Sequence, residues 1–195
     1  SILGYGSLKY DNFNKIITES IDDVLRINTI NKNEKTICFI IDSQLCFFNE
    51  VFCENNEGLS FHQNLSGSNN LVKYMESHYY PINNRDDHYL GVHINKNIKT
   101  GLTNSADQHK CSLSSIGVGI FSAEIMAKTI FKAKDLNNYL LIRFVTSNLL
   151  EVLFLSDGIL MVYGKYKISN SKVIPINTIG NKNDEENIFL YLSNI

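Results

Sequence analysis

The sequence predicts a mixed α/β fold, and three observations carry that expectation. Segments with apolar residues at three- and four-residue steps alternate with short apolar runs bounded by turn residues. An Asp157-Gly158 pair separates two apolar runs, which is a strong local hairpin signal. The 195 residues are 44% hydrophobic and 19% charged, enough for a sizeable core in one large domain or two small lobes. Helical and strand-like segments interleave, so neither a helical bundle nor an all-β sandwich fits. No internal repeat is evident.

Residues 2–9 read as a short strand. Residues 11–27 read as a helix, because Phe13, Ile16, Ile17, Ile21, Val24 and Leu25 share one face, with Asp11 or Asn12 as its cap. Thr36 to Ile41 and Leu45 to Phe52 are apolar runs around Asp42-Ser43-Gln44, which suggests a tight hairpin. Residues 54–70 are polar and read as a loop. Leu71 to Tyr79 reads as a short helix stopped before Pro81, since the residue before a proline avoids the α region. Tyr89 to Ile94 is a strand, and Lys96 to Ser112 is irregular or weakly helical. Ile116 to Ile120 is a strand, and Ser122 caps a helix over 123–134. Residues 139–168 read as a three-stranded meander. A two-residue turn at Asp157-Gly158 puts Leu153 opposite Val162 and Val152 opposite Tyr163. Both faces of that ribbon are apolar, as in a sheet covered by other layers, and Leu153, Leu155, Leu160 and Val162 are its expected core. Asp184 to Ser193 is a helix whose acidic start suits the helix dipole.

Composition excludes some functions. The formal net charge is −2, with no basic stripe of the kind nucleic-acid binders carry. No stretch approaches the run of about 18 apolar residues that a membrane span needs, and the start of the chain is unlike a signal peptide. The 25 asparagines suit turns, caps and exposed positions. Cys38, Cys46, Cys53 and Cys111 lack zinc spacing and read as buried, reduced thiols. The two prolines, Pro81 and Pro175, each mark a local feature.

Most chemical motifs fail. Gly4-Tyr5-Gly6-Ser7-Leu8 is similar to the Tyr-Gly-Ser-Leu turn of gamma-glutamylcyclotransferases, but the glutamate which that family needs has no counterpart in context. Gly117-Val118-Gly119 lacks the third glycine of a dinucleotide fingerprint and reads as a strand that bends or packs closely. His88 and His93 fall on opposite faces of a strand, and His62, His78 and His109 form no ligand set, so the histidines read as surface or satisfied. Glu50, Glu76 and Glu124 show no partner arrangement. No catalytic, cofactor-binding or metal-binding residue is assigned.

Read together, several segments resemble the actin-like pilus-assembly and secretion proteins, the family of PilM in type IV pili and of the cytoplasmic domain of the type II secretion L protein. Lys35 to Phe48 resembles a strand–turn–strand of that family. Tyr74-Met75-Glu76-Ser77-His78-Tyr79-Tyr80-Pro81 is similar to its helix ending in a glutamate, an aromatic and a proline. Tyr89 to Ile94 matches the next strand, Ile116 to Phe131 the strand–helix joint into the second lobe, and Leu140 to Ile168 the second-lobe hairpin. The resemblance covers about residues 2–170 in one order.

The resemblance implies an actin-like (ribonuclease H-like) fold of two lobes with mixed sheets covered by helices. It divides the chain into a first lobe at 1–115, with a small subdomain about 54–95, and a second at 116–195. The family's opening hairpin is absent or lies upstream of Ser1, which leaves the first lobe incomplete. Nucleotide-binding actin-like proteins carry an Asp-x-Gly turn on each of two hairpins to hold phosphate and metal. Ile142-Arg143-Phe144-Val145-Thr146 stands at the second such place with neither residue. That departure points to the nucleotide-free L-type members and to the bundle-forming pilus protein of this class. The implied function is a non-enzymatic scaffold without a cofactor, at the cytoplasmic face of a bacterial inner membrane. Its implied partners are the assembly ATPase, a polytopic platform protein and a second copy of itself, with no nucleic acid. Tyr74, Tyr79 and Tyr80 are the candidate partner contacts, being of a type common at binding hot spots. The alternatives are an actin-like ATPase, or a small cyclotransferase or hydrolase using the Gly4–Leu8 turn.

Overall fold

The computed structural model describes residues 36–53, 74–130 and 137–194. The strand expected at 2–9, the helix at 11–27, the Gly4–Leu8 turn, the loop at 54–70 and His62 lie outside them. The described elements are β1 (Thr36–Ile41), β2 (Cys46–Phe52), β3 (Met75–Pro81), β4 (His88–Asn95), α1 (Lys96–Gln108), β5 (Ser112–Val118), α2 (Gly119–Ile130), β6 (Asn138–Thr146), β7 (Leu149–Ser156), β8 (Ile159–Ser169), β9 (Lys172–Gly180) and α3 (Lys182–Ser193). They form three sheets. β1 and β5 pair in parallel. β2, β4 and β3 make an antiparallel sheet in that order, and β6 to β9 make a four-stranded antiparallel meander. The lobe boundary expected at residues 115–116 falls within β5.

The first two apolar runs are strands but not a hairpin. A hairpin of two-residue turns needs left-handed residues at its tip, and none of Asp42, Ser43 and Gln44 has a positive φ. Instead Asp42 caps a single 3-10 turn, accepting from the Gln44 backbone N–H at 2.8 Å. The turn sends β2 away from β1 to pair with β4.

Two further expectations are corrected. The segment ending in Pro81 is a strand, β3, antiparallel to β4 from Met75↔Asn95 to Pro81↔Tyr89. Its polar residues on both faces suit an edge strand, where Pro81 costs no ladder bond. Residues 96–108 form a full helix, capped by Asn95 through its side-chain oxygen on Asn97 N–H at 2.9 Å. Ile98, Leu102, Ser105 and Ala106 make its buried stripe, and the polar residues between them hid it. The next helix starts at Gly119, before Ser122, so Ser122 is no cap. Its hydroxyl packs where a Cβ on Gly117 would sit, 2.1 Å away. Gly117 thus permits the close packing that the glycine pair suggested.

The meander holds four strands where three are expected. Asp157 and Gly158 both have positive φ, at 51° and 77°, and so do Asn170 and Ser171 in the next turn. The β7/β8 register differs from the simple count. A bulge between Phe154 and Leu155 sets Leu153 opposite Tyr163 and Phe154 opposite Val162. Leu153, Leu155, Leu160 and Val162 are all buried. Pro175 lies on β9, an outer strand of this sheet. Asn181 caps α3 on Asn183 N–H, with Asp184 and Glu185 in the first turn.

One apolar core joins all three sheets. It takes Ile41 from β1, Phe48 from β2, Leu90 and Val92 from β4, Val118 from β5, and Leu153, Tyr163 and Ile179 from the meander. The Phe48 ring stacks on Tyr163 with centroids 4.5 Å apart. Asn83 N–H donates to Leu160 O at 3.0 Å, and Asn177 Nδ2 donates to Phe48 O at 3.3 Å. A second core lies on the other face of the meander, where Leu150, Val152, Val162 and Tyr166 meet Ile188 and Leu192 of α3. The meander is therefore covered on both faces. All four thiols are unbridged, and Cys38 is exposed where a buried thiol is expected.

Candidate functional site

Two places gather polar side chains between elements. The first lies where the end of β1, the start of α2 and strands β6, β7 and β8 converge. Arg143 and Glu151 are directly opposed across β6 and β7. Arg143 Nη1 donates to Glu151 Oε2 at 2.8 Å and to Ser43 Oγ at 3.3 Å. Its Nη2 lies 3.5 Å from Asp42 Oδ2. Glu151 is fully buried, as is Ser43. The other carboxylate oxygen of Glu151 accepts from Tyr163 Oη at 3.2 Å. Burial first, and then the Glu151 charge, push the Tyr163 hydroxyl up. Burial, Asp42 and Glu151 push the Cys46 thiol up to about 12. Gly119 leaves room for the guanidinium, since a Cβ there would sit 2.5 Å from Nη1.

A charge this deep survives only when paired and hydrogen-bonded. Arg143 supplies the pairing and Tyr163 a further bond. The guanidinium lies between two carboxylates of its own chain, so its charge is matched internally. Residues 142–146, at the expected second phosphate place, thus carry a structural ion pair. In the sequence Glu151 is a lone charge inside an apolar run. Counting back from the Ser147-Asn148 turn would oppose Arg143 to Val152, and a register shift between Phe144 and Thr146 is what brings Glu151 opposite it.

The second place is a groove of about 280 Å³ between the three-stranded sheet and β5, lined by Glu76, His78, Ile94, Lys99 and residues Leu113 to Ile116. Glu76 Oε1 accepts from Lys99 Nζ at 2.7 Å and lies 3.4 Å from His78 Nε2. The ammonium hydrogen bond holds the Glu76 carboxyl below its ordinary range. Ile94 gives the groove an apolar floor, and Ser114 and Ser115 add hydroxyls. β3 is the outer strand of its sheet, so the groove runs beside a strand edge that is unpaired among the described residues.

The three tyrosines chosen as partner contacts sit on and beside β3 rather than at a helix end. Tyr74, just before the strand, and Tyr80 are exposed. Tyr80 stacks on Phe121 of α2, centroids 4.9 Å apart. Tyr79 points to the opposite face, where it is half-buried, meets the His93 ring edge-on and packs with Val51, Cys53 and Tyr89. The carboxylates that showed no partner in sequence all have partners in the fold. Glu50 pairs with His88 Nε2 at 2.7 Å, Glu76 pairs with Lys99, and Glu124 takes Lys128 Nζ at 2.6 Å and the Tyr139 hydroxyl. His93 lies between Ser77 Oγ and Asn49 Oδ1, both at 2.7 Å. His88 and His93 are both buried and hydrogen-bonded. Among the described residues, no group of three or more His, Cys, Asp or Glu is placed to hold a metal ion.

No family model matches the sequence, and no curated protein matches it. Sixteen chains of solved structures are similar in fold. One belongs to a PilM-PilN type IV pilus biogenesis complex, with a TM-score of 0.59 and 6% identity. The match covers 86% of this chain and 52% of that one. The chain therefore spans about half the length of that structure. At such low identity the likeness shows a PilM-like fold.

Proposed function

We propose that this chain is an actin-like scaffold domain of a pilus or secretion platform. In this reading β1 to β5 belong to a first lobe and β6 to β9 with α3 to a second. The domain sits at the cytoplasmic face of a bacterial inner membrane and recruits the assembly ATPase and a polytopic platform protein. The bundle-forming pilus member of the class is its nearest counterpart. The carrying observation is the PilM-like fold over most of the chain. The groove beside β3 supports recognition as the work done. An apolar floor, an acid–base rim and a strand edge unpaired among the described residues suit an extended segment of a partner protein.

Co-purification tests this reading. The chain, expressed with the ATPase and platform protein of its own operon, should retain at least one of them. Retention of neither, from a folded chain, overturns it. The actin-like ATPase is the rival reading, and the Arg143–Glu151–Asp42 network counts against it. Millimolar ATP with Mg²⁺ should leave the melting temperature unchanged, whereas a ligand at a hundred times its Kd would add about 2.7 kcal/mol. A saturable shift would put the ATPase first.

A further inference from the structure

We draw no further inference here: the strongest candidate, the apolar pocket of about 230 Å³ that Leu140 and Phe154 of the meander form with Ile188 and Tyr191 of α3, carries nothing, because nothing in the structure shows what covers it.

Discussion

The β6–β9 meander and the β2-β4-β3 sheet handle buried polar groups in opposite ways. The meander is apolar on both faces and admits one ion pair, Arg143–Glu151, with Tyr163 as a further donor. The smaller sheet buries two histidines, one on each face. His88 rests on Glu50 and stacks on Phe52, and His93 bridges Ser77 and Asn49 across three strands. In the meander, apolar burial holds the strands and the polar cluster fixes how they meet β1 and α2. In the smaller sheet, cross-strand hydrogen bonds carry part of the load. Each substitution below probes one side of that contrast.

The largest effect is expected at the ion pair. Arg143→Ala leaves a fully buried carboxylate without its partner, a change that costs about 3–5 kcal/mol. Chemical denaturation would measure it. Replacing both partners, as Arg143→Met with Glu151→Leu, should recover most of the loss, because apolar groups of similar size often match a buried pair. If the single variant loses under 1 kcal/mol, the pair is not what anchors this junction. Next comes the apolar side of the meander. Leu153 is 1% exposed, and Leu153→Ala should cost about 2–5 kcal/mol through lost transfer energy and a residual cavity.

In the smaller sheet the expected effect falls. Asn49→Ala removes one of the two bonds to His93 and should cost about 1–3 kcal/mol. Gly91 leaves space for this network, since a Cβ there would lie 2.3 Å from Asn49 Oδ1. A loss as large as that of Leu153→Ala would erase the contrast between the two sheets.

The same contrast explains what the sequence made legible. The meander was readable because alternation, the Asp157-Gly158 turn and apolar content all agreed. The bulges that shift its register, near Thr146, Leu155 and Tyr166, are marked by no local signal. Its fourth strand was hidden by Pro175 and by the Asn170-Ser171 turn, which lacks glycine. In the smaller sheet, Tyr74 to Pro81 has polar residues on both faces, so neither period stood out and a helix looked as good as a strand. The Arg143–Glu151 pair joins residues eight apart, but Asp42 and Ser43 reach it only through tertiary folding. That part of the site no spacing argument could supply.

The smallest effect concerns acid, and it has opposite signs in the two regions. Glu76, beside the groove, has its carboxyl lowered by the Lys99 hydrogen bond. A lowered carboxyl stabilises the fold above its ordinary value of about 4.5, and that contribution is lost as pH falls through the folded value. Glu185, on α3 behind the meander, is raised by burial, with Glu50 adding to the rise. A raised carboxyl works the other way. Its charge costs stability at neutral pH, and the cost disappears as pH falls through the raised value to the ordinary one. Glu76→Gln should therefore destabilise at pH 7 by about 0.2–1 kcal/mol, given that the pair is partly exposed. Glu185→Gln should be neutral or stabilising there, within about 0.5 kcal/mol. Both differences should shrink as pH falls, that of Glu185 first, as its raised carboxyl takes up a proton, and that of Glu76 only as pH passes down through its lowered folded value. Denaturation curves of the two variants from pH 7 downward decide it. If Glu185→Gln destabilises at pH 7 as much as Glu76→Gln, the Thr178 hydroxyl and Lys182 hold the Glu185 carboxylate more strongly than burial opposes it.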